Sequence, residues 1–172
     1  MPVHLVLYQP EIPPNTGNVA RLCAAMGIAL HLIEPLGFSL DDKRLKRAGL
    51  DYWPEVDVHT WPDLAAYLDG AGGHRRLVAT TARRTRQVTA LQHAVFTPDD
   101  SLLFGPETRG LPEQVLDQCG LRVHIPIREN ARSLNMSTAA GIVLYAALAC
   151  LGALPVCAGT PPGGNASAQN IT

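Results

Sequence analysis

No Cys-x-x-Cys pair occurs in this sequence. Its four cysteines, Cys23, Cys119, Cys150 and Cys157, are scattered, and none sits at metal-ligand spacing with a histidine. The six histidines form no H-x-x-x-H or H-x-x-E-H pattern, so no metal is expected and free buried thiols are the ordinary reading of the cysteines. No uninterrupted apolar run reaches the roughly 18 residues that span a bilayer. The N-terminus has no basic region followed by a long apolar stretch, so neither membrane insertion nor export is expected and a cytoplasmic location is. Charged residues make up only 17% of the chain and aromatic ones 5%, but 47% is hydrophobic, which fits a globular domain that can bury a real core. With 172 residues, the expectation is one domain over residues 1–154 and a tail over 155–172. The tail is rich in Pro, Gly, Asn and Ser and reads as disordered.

Net charge is −1, which alone implies no nucleic-acid partner. Its distribution says more. Nine of the fourteen Lys and Arg residues fall into three short clusters: Lys43, Arg44, Lys46 and Arg47; Arg75 and Arg76; Arg83, Arg84 and Arg86. Gathered on one face they would form a positive patch; spread over separate faces they would be ordinary solvated charge.

Apolar runs and helical patterns alternate. Val3–Tyr8 reads as a buried parallel strand. After the prolines, Asn15 or Thr16 could cap a helix whose apolar positions are Val19, Leu22, Cys23 and Met26, with Gly27 closing it. Further strands are predicted at 30–33, 56–59, 77–81, 101–104 and 122–125. Helices are predicted from Asp41 or Asp42 to 48, from Pro62 to 68, at 111–117 and from Asn135 to about 151. Strands separated by helices indicate an α/β fold with a mainly parallel sheet flanked by helices.

Three loops that follow predicted strands collect glycines, prolines and polar side chains, which is where open α/β sheets bind ligands. The first is 11–18, with Asn15 and Asn18 in the loop and Arg21 in the helix behind it. The second is 104–112; Gly105 and Gly110 are spaced as in a phosphate loop, but no Lys-Ser or Lys-Thr follows, and there is no G-x-G-x-x-G. What is left is a tight turn that would let a ligand approach the backbone at Gly105. The third is the polar run 128–139, which leads straight into an Ala-rich segment and offers many donors beside a helix N-terminus.

Together the stretches LVLYQPEIPPNTGNVARLC, DDKRLKRAGLDYW, LLFGPETRGLP and RSLNMSTAAGIVLYAAL resemble the SPOUT (SpoU–TrmD) RNA methyltransferases, in particular the small single-domain TrmL type. The likeness covers residues 1 to about 152. It departs at Thr138, where that type carries Asn. The resemblance implies a SPOUT fold with a C-terminal deep trefoil knot, which general topology rules would argue against. It implies methylation of the ribose 2′-OH of the wobble nucleotide, cytidine or uridine 34, of leucine tRNAs. S-adenosylmethionine would be the methyl donor and would contact Ala79, Gly105, Ile125, Ser133 and Leu134. Arg21, Asn15 and Glu107 are implied at the reacting centre. A guanidinium is a poor base, so Arg21 is expected to stabilise charge on the 2′-oxygen or to bind the adjacent phosphate. Glu107 is the carboxylate best placed to accept the proton, although a structural acceptor within its loop is the more ordinary role for it. Ser133 and Ser137 would bond the cofactor or cap the last helix.

The family implies a homodimer with composite sites. The last helix, apolar on nearly every face, would lie in the interface. The basic residues Lys43, Arg44, Lys46, Arg47, Arg83, Arg84 and Arg86 would bind the tRNA anticodon stem-loop at the other subunit's site. Two other readings stay open: a related SPOUT enzyme acting on another tRNA or rRNA ribose, and a non-catalytic cofactor- or RNA-binding module.

Overall fold

The computed structural model describes residues 3–40, 57–82 and 87–156. In chain order the elements are β1 (His4–Tyr8), α1 (Pro13–Met26), β2 (Leu30–Ile33), β3 (Val58–Trp61), α2 (Leu64–Asp69), β4 (Arg76–Thr80), β5 (Thr89–Ala90), a 3₁₀ turn (Leu91–His93), β6 (Asp100–Phe104), α3 (Glu113–Leu116), β7 (Leu121–His124) and α4 (Met136–Cys150). The predicted helix from Asp41 or Asp42 falls outside the described residues. So do both basic clusters expected to bind RNA, Lys43–Arg47 and Arg83–Arg86, and all but two residues of the tail.

The seven strands form one sheet in the order β3-β2-β1-β6-β4-β7-β5. Every neighbouring pair runs parallel, with Leu5 of β1 level with Leu30 on one side and Leu102 on the other. β6 enters between β1 and β4, and β7 between β4 and β5, so late strands fill gaps between early ones.

The strands are apolar along their length because both faces are covered. Side chains alternate. Leu5, Leu7, Leu102 and Phe104 pack with Val19, Ala20 and Cys23 of α1 and with Ala140, Val143, Leu144 and Leu148 of α4. Val6, Leu77, Ala79 and Leu103 pack on the other face with Leu64 and Tyr67 of α2 and Val115 and Leu116 of α3. The result is a three-layer α/β domain. No described helix is long and apolar enough to cross a membrane.

Several local expectations change. α1 begins two residues earlier than its expected cap, at Pro13. The prolines do not exclude helix here, since the first-turn N–H groups lack helical partners anyway. Its N-cap is Ile12, which makes no side-chain cap bond; Asn15 and Thr16 are buried inside the helix rather than capping it. β3 lies two residues later than predicted, and Asp63, accepting from the Ala66 N–H at 2.8 Å, caps α2. α3 is a single turn behind Pro112. The short strand β5 and its 3₁₀ turn carry no sequence signal strong enough to predict them. Gly27 does close α1 in the left-handed conformation, at φ 62°. Among the cysteines, Cys23 is buried and its thiol is pushed up to about 12 by burial, but Cys150 is exposed on α4, against the expectation of burial.

Candidate functional site

In a parallel sheet all C-terminal strand ends lie along one edge. At that edge, above β1, β4, β6 and β7, a cavity of about 620 Å³ opens, a size typical of small-molecule sites. Its walls are Ile12 and Asn15 after β1, Thr80–Ala82 after β4, residues 104–111 after β6, Ile125, Ile127, Ser133 and Leu134 after β7, and Asn135, Met136 and Ala139 at the start of α4. All three predicted loops meet here.

Hydrogen bonds tie the loops together. The Asn15 amide donates to Glu107 Oε1 at 2.9 Å, and Asn15 Oδ1 accepts from the Asn135 amide at 2.8 Å. Asn135 in turn caps α4: its Oδ1 accepts from the Ser137 N–H at 2.9 Å, the Thr138 N–H at 3.4 Å and the Ser137 hydroxyl at 2.7 Å. One chain of amides thus runs from the second loop through the first to the N-terminus of the last helix. Asn15 is 5% exposed, so its amide, bonded through both nitrogen and oxygen, is a buried link, where an unmatched polar group would be costly.

A second brace is reciprocal. The Glu11 N–H donates to Glu107 Oε2 at 2.8 Å, and the Glu11 carboxylate accepts from the Thr108 N–H at 3.1 Å and the Thr108 hydroxyl at 2.6 Å. The Thr108 hydroxyl bond, with the nearby Arg109 cation adding to it, holds the Glu11 carboxyl below the usual carboxylate range. Both oxygens of Glu107 are engaged by the first loop, so the carboxylate holds loops together in this geometry.

Of the residues expected to contact a cofactor, Gly105, Ile125, Ser133 and Leu134 line the cavity. Ala79 does not. It is fully buried one residue short of the rim, on the face packed by Leu103 and Leu111, and the wall is formed instead by Thr80, Thr81 and Ala82. The Thr80 hydroxyl is buried with no hydrogen-bond partner among the described residues, although it belongs to the wall. The expected reason for Gly105 also changes. A Cβ there would run into Leu111 N and Gly110 C, so glycine is what lets the loop close on itself, with its backbone still on the cavity wall.

Of the three residues expected at the reacting centre, Asn15 and Glu107 are bonded to each other at the wall. Arg21 is not a wall residue. Six residues after Asn15, it lies about 240° further round α1, since successive residues turn about 100°. It is exposed, in line with Asn18 and Ala25. Ser137 serves the Asn135 cap. The roles of Glu11, Thr108 and Arg109 were missed, because their partners lie about a hundred residues away in the chain.

The last helix is apolar nearly all round, as expected, but only part of it is covered. One side enters the core, and the other leaves a stripe at Thr138, Ile142, Tyr145 and Ala149, with Ile142 39% and Tyr145 55% exposed.

Comparison with known proteins agrees with the architecture. Residues 2–145 match the SpoU rRNA methylase family. The tRNA (cytidine(34)-2′-O)-methyltransferase of Aeromonas hydrophila is 49% identical over 143 residues, covering 82% of this chain and 89% of the relative. A solved structure described as giving insights into the 2-OH methylation of C/U34 on tRNA superposes with a TM-score of 0.81 at 50% identity, over 87% of this chain and 96% of the other. The SpoU methyltransferase AviRb from Streptomyces viridochromogenes, in complex with the cofactor AdoMet, superposes with a TM-score of 0.74 at 25% identity, over 85% of this chain and 59% of AviRb.

Proposed function

The chain belongs to the SpoU rRNA methylase family, and we propose that it methylates the ribose 2′-hydroxyl of nucleotide 34, cytidine or uridine, of leucine tRNAs, with S-adenosylmethionine as donor. The observation that carries this reading is the near full-length similarity, at about half identity, to relatives named for that reaction, together with a cavity at the strand ends where all three motif loops meet. A cytoplasmic enzyme goes with that substrate.

The wall suits the donor. Leu111, Ile125, Leu134 and Met136 offer apolar contact for the donor's nucleoside and for the carbon chains on its sulfonium. The unpartnered Thr80 hydroxyl and Ser133 offer polar anchors, and the backbone at Gly105 and Ile125 can supply the rest. Bound there, the donor supplies an electrophilic methyl group. The protein's own part is to place the 2′-oxygen in line with that group, which is worth roughly 7–11 kcal/mol in favourable cases. Arg21 stabilises the charge that develops on the oxygen or holds the adjacent phosphate, since a guanidinium is a poor base. Asn15 and Glu107 hold the loops in register, and the ribose proton leaves to water or to the remaining lone pairs of Glu107.

A homodimer completes the site. α1 and α4 pack on each other, with Leu22 against Gly141, and each carries an exposed stripe, Arg21 lying in that of α1. A second copy covering Ile142 and Tyr145 would bring the Arg21 face into an interface. The basic clusters Lys43–Arg47 and Arg83–Arg86 of one copy would grip the anticodon stem-loop at the other. The interleaved strand order supports the trefoil-knot reading of the fold.

The test is transfer of labelled methyl from S-adenosylmethionine to total tRNA, followed by mapping of the modified nucleotide. Label confined to position 34 of leucine tRNAs is expected. The family description itself names rRNA, which favours a ribosomal ribose as the second reading. Label in rRNA and none in tRNA would establish it in place of the first.

A further inference from the structure

We infer that Arg109 binds a substrate phosphodiester at the mouth of the cavity and that Glu11 and Gln9 are positioning residues that aim it. The inference rests on the tRNA-methylation reading and adds a residue to it.

Arg109 is the only basic side chain among the described residues that line the cavity. Its side chain is 61% exposed, against 25% for Glu11 behind it. Exposure on a cavity rim would ordinarily mean a mobile guanidinium. Here it is held from two sides. Nη1 lies 3.6 Å from Glu11 Oε1, and Nη2 donates to Gln9 Oε1 at 3.0 Å. A guanidinium carries five N–H donors in a planar fork. These two contacts take at most two of the five and leave the others, Nε–H among them, for the oxygens of an anion.

Gln9 supplies a second, independent observation. It is the one non-glycine residue with positive φ among the described residues, at 49°. That conformation is disfavoured for an L side chain, and its N–H is nevertheless held by Ile33 O at 2.9 Å. Strain of this kind concentrates at functional sites. Its effect here is to turn the Gln9 side chain, at the C-terminal end of β1, toward Arg109 and the second loop. Glu11 is itself fixed by Thr108, the residue adjacent to Arg109, so the acceptor and the cation move as one unit. Glu11 offsets part of the Arg109 charge, which keeps the rim from attracting anions indiscriminately while leaving the fork's direction fixed.

Two anions could meet this fork: a phosphodiester next to nucleotide 34, or the carboxylate of the donor. The exposure and the rim position favour the phosphodiester, because the apolar wall for a nucleoside lies deeper.

The experiment compares full-length wild type, Arg109→Ala, Arg109→Lys and Gln9→Ala. It measures binding to an unmodified leucine tRNA by fluorescence anisotropy across a salt series, donor binding by calorimetry, and kcat and KM for methyl transfer. Arg109→Ala is expected to weaken tRNA binding roughly ten-fold near 0.1 M salt and to lower the salt slope by about one, with donor affinity unchanged. Arg109→Lys should restore the slope but only part of the affinity, because it keeps the charge and loses the fork. Gln9→Ala should raise KM for tRNA and leave kcat and the salt slope near wild type. An unchanged tRNA affinity and slope in Arg109→Ala would overturn the inference. So would a loss of donor affinity with tRNA binding intact, which would assign the fork to the donor carboxylate. Wild type that binds tRNA without methylating it would sink the proposed reaction and still leave the phosphate contact measurable. Should Arg109→Ala fail to fold, Arg109→Gln removes the charge while keeping a polar stem and carries the same comparison.

Discussion

At the scale of single residues, the site rests on amides whose two ends do different work. Asn135 caps α4 with its oxygen and fixes Asn15 with its nitrogen. Asn135→Ala loses both. The cap alone is worth about 1 kcal/mol. The melting temperature is therefore expected to fall by a few degrees in calorimetry, and a melting curve that overlays wild type would rule out the linkage. Arg21 offers the opposite test. It is exposed and outside the cavity wall, so Arg21→Ala should leave the fold and donor affinity near wild type while abolishing turnover. Methylation at near-normal rate by that variant would remove Arg21 from the reaction. Arg21→Lys, retaining charge without the planar fork, is expected to recover only a minor part of the activity.

At the scale of elements, the edge of the sheet away from the cavity carries a stack of rings. The His31 ring of β2 lies between His4 of β1, at a centroid distance of 4.5 Å, and His59 of β3, at 5.0 Å, with Trp61 and Tyr67 against it. The Trp61 indole N–H donates to His31 Nδ1 at 3.0 Å, which fixes the neutral tautomer with its proton on Nε2. Burial is the main cause that pulls His4 down to about 4 and His31 to about 3. Both ordinarily titrate near 6.5. Below that pH the unfolded chain takes up protons that the folded one refuses, so stability is full above pH 6.5 and falls as the pH drops toward 3–4. The midpoint of urea unfolding should therefore decline between pH 7.5 and pH 5. His4→Phe keeps a ring in the stack and removes one titrating group, so its decline should be shallower; an identical slope would show that these imidazoles are not the source. None of this stack was legible in the sequence, where the six histidines look scattered. Parallel register brings His31 and His59 level across β2 and β3, and sequence spacing does not encode register between strands 28 residues apart. The strands themselves were legible because burial on both faces makes them continuously apolar. The three loops stood out because Pro, Gly and Asn cluster there against that background. Their cross-links were hidden: the acid that holds Thr108 is Glu11, and nothing local marks one loop carboxylate as the partner of a hydroxyl 97 residues on.

At the scale of the whole molecule, the proposed dimer makes a simple demand. Ile142 lies on the uncovered stripe of α4, at 39% exposure, so a charge placed there costs the monomer little. Ile142→Lys is expected to leave the melting behaviour of the isolated fold close to wild type, shift sedimentation toward a single copy and lower methyl transfer. A monomeric variant with full activity would show that each copy holds a complete site. The strand order has a consequence for how the protein comes into being. β6 must slot between β1 and β4, two strands made before it, and β7 between β4 and β5. During synthesis β1 and β4 are each without the neighbour they will have in the sheet, and direct pairing between them would be a dead end that has to be undone. Non-local parallel pairing is slow to form. The Glu11–Glu107 and Asn15–Asn135 bonds join segments that leave the ribosome 96 and 120 residues apart. No nascent fragment that stops short of α4 can hold a finished pocket, so the ability to act on RNA is delayed until nearly the entire fold has been made.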